Sequence, residues 1–255
     1  MPILTQGPDP HPKAPRLRTP PGACDAHIHL FGPAAKYPFA PDSPYTSHDA
    51  LPETFITLQD KLGLGRAVIV SPGGYGRNYQ LLADTLARFP DRFRGIALMP
   101  EDTNAAEFAR LTGLGVRGLR MMSAKRGPHV PNYSREIAAR AAEHGWHVQF
   151  YPHDSDIVDY ADKLLALPNT IVLDHFASVP AGGGVDQGGL QDGVAHARHR
   201  PCMGQAVGTD ALHEAELSLS RGHAARPRAG AARPRTSRLG HRLAACEPRR
   251  PRDAQ

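Results

Sequence analysis

Residues 24–31 read CDAHIHLF, a short apolar segment that carries two histidines at alternate positions. Successive side chains of a β-strand point to opposite faces, so His27 and His29 would share one face of such a strand. This segment is the first of six that alternate with helical patterns. The other five comprise residues 66–71 (RAVIVS), 93–99, 116–122, 147–151 and 171–176.

Helical spacing of apolar residues separates most of these segments, at residues 78–89, 105–114, 134–144 and 157–167. Alternating strand and helix patterns predict repeated βα units, and continuous apolar strands indicate a parallel sheet covered on both faces. Six strands are two short of a closed barrel, so we expect an incomplete (β/α)8 TIM barrel. An open doubly wound sheet is the alternative, although no Gly-rich phosphate fingerprint follows the first strand.

The composition changes near Gln187. Residues 190–255 hold twelve Arg and no Lys, and they contain no Ile, Phe, Tyr, Trp or Asn. Such a segment lacks the apolar residues that a core needs. We therefore divide the chain into a Pro-rich extended lead (1–20), a partial barrel (21–187) and a tail expected to be disordered (188–255).

Degenerate back-translation offers a reason for this change. Codons can be chosen for residues 238–248 that, when translated from one nucleotide further on, give the peptide VWGTDWPHVN. Codons chosen for residues 202–209 give AWVKLSA in the same displaced frame. Both products resemble buried strands that end in polar residues. We therefore hypothesise a frameshift near residues 187–189, which would have removed the last two barrel strands.

Charge and cysteine content limit the class of protein. The net charge of +5 comes from the tail, because residues 1–189 carry eighteen basic and nineteen acidic side chains. Three cysteines form no disulfide framework, and no apolar run is long enough to span a bilayer. A small-molecule enzyme of the cytoplasm is expected; nucleic-acid binding through the basic tail is the last-ranked alternative, since no aromatic residues interleave its arginines.

The two histidines of the first strand are the strongest chemical signal. At the carboxyl rim of a barrel they would form a metal site or a polar catalytic pair, whereas the structural alternative is two hydrogen-bonded core histidines. Asp174 and His175 close the sixth strand at the same rim. Their structural alternative is an ordinary solvated strand end.

Two arginines and three hydroxyl residues complete the candidate site. Arg120 lies within the apolar fourth strand, where a guanidinium needs an anionic partner, and Arg126 follows it closely. They are expected to bind substrate carboxylates; a structural ion pair and a solvated loop charge are the alternatives. Tyr45, Ser71 and Tyr151 lie at strand ends, where each could donate a hydrogen bond to a substrate oxygen.

Several of these segments together resemble the amidohydrolase superfamily, and within it the 2-pyrone-4,6-dicarboxylate lactonases. They are CDAHIHLFGP, KYPFAPDSPYT, RAVIVSPGGYGRN, GVRGLRMM and IVLDHF. The resemblance implies a TIM barrel that hydrolyses a cyclic dicarboxylate ester in the breakdown of aromatic compounds, without a metal cofactor. It implies active-site roles for His27, His29 and His175, and substrate contacts from Tyr45, Ser71, Arg120, Arg126 and Tyr151.

The resemblance also implies an aspartate at the end of the last strand that activates water. That aspartate would be the D of GTDW in the displaced frame, whereas this chain reads Gly240-His241-Arg242-Leu243 there. We therefore expect poor folding or impaired activity of the chain as written. The alternative within the superfamily is a metal-dependent amidohydrolase or decarboxylase, with His27 and His29 as first ligands of a divalent ion such as zinc.

Overall fold

A sheet of seven parallel strands is the centre of the computed structural model, which describes residues 2–153, 156–178 and 202–204. The strands are hydrogen-bonded in the order in which they occur along the chain, each parallel to its neighbours. They are β2 (Cys24–Ile28), β4 (Arg66–Val70), β5 (Phe93–Ala97), β6 (Val116–Met122), β7 (His147–Tyr151), β8 (Ile171–Leu173) and β9 (Cys202–Gly204). Parallel neighbours in chain order are the arrangement from which a βα barrel is built.

Five α-helices connect or flank these strands within the described residues. They are α1 (Pro52–Leu62), α2 (Gln80–Arg88), α3 (Ala105–Leu114), α4 (Arg135–Glu143) and α5 (Ile157–Leu165). Local chemistry sets their ends: the Asn104 side chain accepts the Glu107 N–H at the start of α3, and Gly115 ends that helix at a φ of 107°. An asparagine N-cap and a left-handed glycine are preferred helix-terminating residues. They fix where β6 begins.

The core lies between the sheet and the helices. Phe93, Phe108, Trp146 and Phe150 are all less than 2% exposed, and they belong to one continuous apolar cluster. The buried Trp146 indole donates to the Thr112 hydroxyl at 2.9 Å, so its polar atom is satisfied within the core. Burial of this kind is the main stabilising term of the fold.

The six predicted strands and four predicted helices are confirmed, with shifts of a few residues at their ends. The structure also contains helix α1, which was not predicted, and strand β9, which pairs in parallel with β8 through Ile171↔Cys202 and Leu173↔Gly204. One of the two strands expected to be lost therefore has a three-residue counterpart. The second segment, residues 238–248, lies outside the described residues.

The Pro-rich lead is attached to the remainder of the chain. Its strand β1 (Ile3–Leu4) pairs in parallel with β3 (Tyr45–Thr46), which belongs to the loop after β2. The Thr19 hydroxyl lies 2.8 Å from the Gly63 carbonyl at the end of α1. These contacts place the lead beside the loop that carries Tyr45.

No described helix has both the length and the apolar character that crossing a bilayer requires.

Candidate active site

His27 and His29 lie next to each other at the carboxyl end of β2. Their Nε2 atoms are 3.3 Å apart, and the Nδ1 atom of His29 lies 2.8 Å from the Val70 carbonyl oxygen of the neighbouring strand. A carbonyl oxygen only accepts, so His29 must carry its proton on Nδ1. Burial, together with the neighbouring Arg120 and His27, lowers the pKa of His29 to about 3. His29 is therefore neutral at pH 7, with an accepting Nε2 atom.

Asp174 and Arg120 form a buried ion pair beside these histidines. Arg120 Nη2 donates to Asp174 Oδ2 at 2.6 Å, and Nη1 donates to the Ser71 carbonyl at 2.9 Å. Their side chains are 2% and 0% exposed. Burial alone would raise the pKa of Asp174, but Arg120 and His27 together hold it well below its usual range. Asp174 is thus a carboxylate at every ordinary pH.

The second oxygen of this carboxylate approaches His27. Asp174 Oδ1 lies 3.2 Å from His27 Nδ1, and the amide nitrogen of Gln149 lies 3.3 Å from the same ring atom. Asp174 therefore joins β2 to β6 through one carboxyl group. Gln149 was not predicted as a site residue. The sequence feature that could have identified it is a glutamine between two apolar residues in the strand HVQFY. The structure pairs this glutamine with Arg120 of the neighbouring strand.

His175 follows Asp174 in a 3₁₀ turn (Asp174–Ser178) rather than ending the strand. Its ring centroid lies 5.7 Å from that of His27 and 4.4 Å from that of Tyr151. His175, Ala177 and Ser178 have positive φ angles of 48°, 59° and 56°. Non-glycine residues seldom adopt this conformation, and such strain is concentrated at functional sites.

Arg126 stacks on Tyr151 at the rim of the site. Its guanidinium carbon lies 3.7 Å from the centre of the Tyr151 ring, and its Nε and Nη2 atoms donate to the Pro152 carbonyl. The Ser178 hydroxyl lies 3.3 Å from Nη2 and donates to the same carbonyl. A stacked, hydrogen-bonded guanidinium is held in one orientation, which favours recognition of a planar anion.

Tyr45 approaches the site from the loop after β2. Its hydroxyl accepts the Gly74 N–H at 2.9 Å, and its ring lies edge-on to Phe31 and Phe39. Burial raises the pKa of Tyr45, so the hydroxyl stays protonated and its hydrogen can be donated elsewhere. A Cβ atom on Gly74 would lie 3.0 Å from both Phe39 and Tyr45, so a larger residue here would displace these rings.

Ser71 is placed differently from the other candidates. It lies on the same side of its strand as Ile69, and it lines a small cavity with Leu81 and Leu82 of helix α2. Its hydroxyl is buried without a hydrogen-bond partner among protein atoms. The Ser71 backbone, through its carbonyl, is what contacts Arg120.

A metal-ligand set was the alternative use of the histidines. Candidate ligand atoms of His27, Asp174 and His175 all lie within 4.8 Å of one another. The donor types suit a divalent ion, but Arg120 already occupies one oxygen of Asp174 and places a fixed positive charge beside the other. The residues therefore fit a divalent cation poorly, because the guanidinium would repel it.

These groups meet at the carboxyl edge of a parallel βα sheet, the edge at which TIM-barrel enzymes carry their active sites. The fold and the site define a barrel-type protein whose carboxyl edge carries a cluster of histidine, arginine and aspartate. The amidohydrolase family matches residues 24–239, and the chain belongs to this family.

Two relatives indicate the subgroup. The chain is 36% identical over 178 residues to a 2-pyrone-4,6-dicarboxylate hydrolase of Comamonas testosteroni, a match that covers 69% of this chain and 58% of that protein. It is 30% identical over 176 residues to a 4-sulfomuconolactone hydrolase of Rhizobium radiobacter, covering 66% and 57% respectively. The matched part of the chain thus spans less than three fifths of the length of these relatives.

Solved structures show the same fold. A probable 2-pyrone-4,6-dicarboxylic acid hydrolase from Acinetobacter baumannii superposes with a TM-score of 0.65 at 20% identity, covering 79% of this chain and 80% of that one. A protein from Pseudomonas putida with a similar description has a TM-score of 0.63 at 24% identity, covering 78% and 76%. The predicted TIM-barrel class is confirmed by this likeness.

Proposed function

We propose that this protein hydrolyses a carboxylated lactone, opening the ring to a hydroxy acid or its keto form. The observation that carries the proposal is the convergence of His27, His29 and His175 with a stacked guanidinium, Arg126, at one sheet edge. The imidazoles supply proton acceptors and donors for an ester carbonyl, and the guanidinium supplies a carboxylate partner. Both named relatives are hydrolases whose substrate names describe anionic cyclic esters.

The reaction requires two bond changes and two proton movements. The oxygen of water bonds to the lactone carbonyl carbon, and the bond from that carbon to the ring oxygen breaks. Water loses one proton and the departing ring oxygen gains one.

His29 Nε2 is an accepting atom that can orient the water, since its Nδ1 proton is committed to Val70. The low pKa of His29 suits it to orienting water rather than removing its proton. We assign that removal to the aspartate that the displaced frame would encode on the last barrel strand. The chain as written has Gly240-His241-Arg242-Leu243 there, so we expect its hydrolysis to be impaired.

A dicarboxylate lactone is the first substrate to test. The sequence predicts that Arg120 and Arg126 contact its carboxylates, while Tyr45 and Tyr151 contact its ring or carbonyl oxygens. Tyr151 lies between the two guanidinium groups, at 5.4 Å from Arg120 and 3.7 Å from Arg126, which supports a substrate position beside its hydroxyl rather than over its ring. Ser71 would contribute by positioning Arg120 through its carbonyl, because its side chain lies on the helix side of the strand.

The test is hydrolysis of 2-pyrone-4,6-dicarboxylate by the purified full chain, followed by the loss of pyrone absorbance. Replacement of His27 or His175 by Gln should lower the rate by about two to four orders of magnitude. His48→Gln is the matched control, because His48 is exposed and lies outside the site. If the His27→Gln and His48→Gln proteins hydrolyse the substrate equally fast, the proposed site is wrong.

We propose that the reaction proceeds without a metal cofactor. The Arg120 guanidinium beside Asp174 supports this, because it already provides the positive charge that an ion would supply. The protein should therefore keep its activity after dialysis against a chelator. Zinc retained at one equivalent, together with loss of activity on chelation, would instead favour the metal-dependent alternative with His27 and His29 as ligands.

We also propose that the codons after residue 187 or so are translated out of frame. The supporting observation is the change of composition, since residues 190–255 hold twelve Arg and no Lys, Ile, Phe, Tyr, Trp or Asn. Resequencing the gene across residues 185–190 tests this. A confirmed reading frame without an inserted or deleted nucleotide would reject it.

A cytoplasmic location is part of the same proposal. It is supported by the three cysteines, a number that cannot be fully paired in disulfides. Fractionation of cells that express the full chain would test it, and recovery in the periplasm or medium would contradict it.

A further inference from the structure

Arg120 and Arg126 have different electrostatic environments, although both were expected to bind carboxylates. Arg120 is 2% exposed, and Asp174 neutralises it at 2.6 Å. Arg126 is partly exposed, and no carboxylate of the described residues lies within ion-pair distance of it. A substrate anion that approached Arg120 would meet the carboxylate of Asp174, which is already bonded to that guanidinium, whereas no described carboxylate is bonded to Arg126.

The hydrogen bonds of the two guanidinium groups support the same distinction. Arg120 donates Nη1 to a carbonyl and Nη2 to a carboxylate, and its Nε atom is buried without a partner. Arg126 donates Nε and Nη2 to the Pro152 carbonyl, while its Nη1 atom donates to none of the described residues. The Tyr151 ring and Ser178 hold Arg126 in place, so this free donor is preorganised.

We infer that Asp174 determines specificity: by neutralising Arg120, it leaves Arg126 as the arginine that contributes most of the affinity for a substrate carboxylate. The substrate class is then a lactone that needs one carboxylate for tight binding, and a second carboxylate adds little. This inference rests on the proposed function, since it concerns the same site. It assigns to Asp174 a positioning role that acts through Arg120.

The probes are benzoate and benzene-1,3-dicarboxylate, two planar acids that cannot be hydrolysed. Benzoate has one carboxylate, and the two carboxylates of the diacid have the meta spacing of the pyrone dicarboxylate. Their binding to the full chain is measured by calorimetry at constant ionic strength. The dicarboxylate should bind within about threefold of benzoate, since a contact to an already neutralised guanidinium is worth little. Arg126→Met should weaken both by at least about tenfold, the typical cost of losing a charged hydrogen bond.

Asp174→Asn tests the role of the carboxylate directly. It leaves Arg120 positively charged and unpaired, so binding of the dicarboxylate relative to benzoate should improve by about tenfold. If this variant does not fold, the Arg126→Met result decides, because Arg126 lies at the partly exposed rim. Arg110→Met, on helix α3 away from the site, removes the same charge as a control and should change neither affinity.

Three results would overturn the inference. In the first, the dicarboxylate binds the unaltered chain more than about tenfold tighter than benzoate, and Arg120→Met and Arg126→Met each abolish this difference to the same extent. Another is unchanged benzoate affinity in Arg126→Met. The third is the absence of binding by either acid; hydrolysis of 2-pyrone-4,6-dicarboxylate by the same preparation then decides separately whether the proposed function survives.

Discussion

Asp174 Oδ2 accepts a hydrogen bond from Arg120 Nη2 at 2.6 Å in a place from which solvent is almost fully excluded. The same carboxylate reaches His27 Nδ1 at 3.2 Å through its other oxygen. One side chain of the β8 end therefore holds an arginine of β6 and a histidine of β2. This single group ties together strands that are far apart in the sheet order.

The first prediction concerns the cost of breaking this pair. Arg120→Met leaves a buried carboxylate without its main counter-charge, and Asp174→Asn leaves a buried guanidinium, so each should lower the free energy of unfolding by about 3–5 kcal/mol. The double variant should cost less than the sum of the two, because neither charge then remains. Urea unfolding of all four proteins measures the coupling.

The exposed pair Arg88–Glu53 is the control for that cycle, since its side chains are 60% and 52% exposed. Solvent screening should limit its coupling to about 1 kcal/mol or less. A coupling between Arg120 and Asp174 that is as small as this would contradict a buried network.

The second prediction compares Gly113 in helix α3 with Gly118 in strand β6. A Cβ atom on Gly118 would lie 2.6 Å from His147 Nε2 and 2.8 Å from Ile96 Cδ1, so Gly118→Ala should destabilise the protein by about 1–3 kcal/mol through overpacking. Gly113 lies inside α3 with no atom within 4 Å of such a Cβ. Gly113→Ala should instead stabilise by about 0.5–1 kcal/mol. Thermal unfolding of both variants checks the opposite signs.

The periodicity of apolar residues predicts most of the strands and helices. It does not predict whether a given polar side chain belongs to the active site or has a structural role. His27, His29 and His175 come together as expected, because strand alternation and the common carboxyl edge fix their direction. Ser71 points to the helix layer, and Gln149 enters the centre, because which face of a strand is inward depends on its pairing register. The role of Asp174 for Arg120 links residues 54 positions apart, which no local pattern reveals.

The third prediction is a loss of stability in mild acid to which His147 contributes. This histidine lies at the start of β7, and burial lowers its pKa to about 4, against about 6.5 in an unfolded chain. The unfolded state therefore binds the extra proton first as the pH falls. The contribution of neutral His147 is fully present above pH 6.5 and is lost towards pH 4, by about 2 kcal/mol between pH 7 and 5.

The variant His147→Gln should remove about 2 kcal/mol of this loss, as measured by urea unfolding at pH 7, 6 and 5. A similar contribution from His29, whose pKa is lowered in the same direction, should remain. His48→Gln, at an exposed position, should leave the slope unchanged. An equal slope in the His147→Gln protein would mean that other groups cause the acid sensitivity.

The last prediction concerns the reading frame. If the displaced frame is restored after residue 187 or so, the chain gains the segment GTDW in place of Gly240-His241-Arg242-Leu243. The carboxylate of its aspartate would act as the general base that removes a proton from water, a group that the described site lacks. The kcat for lactone hydrolysis should therefore rise by about two to four orders of magnitude over the chain as written. The restored protein with Asn in place of that aspartate is the control. It should fold as well as the restored protein, as judged by thermal unfolding, and remain as slow as the present chain. If the Asn control is as fast as the restored protein, the gain comes from completing the barrel rather than from the base.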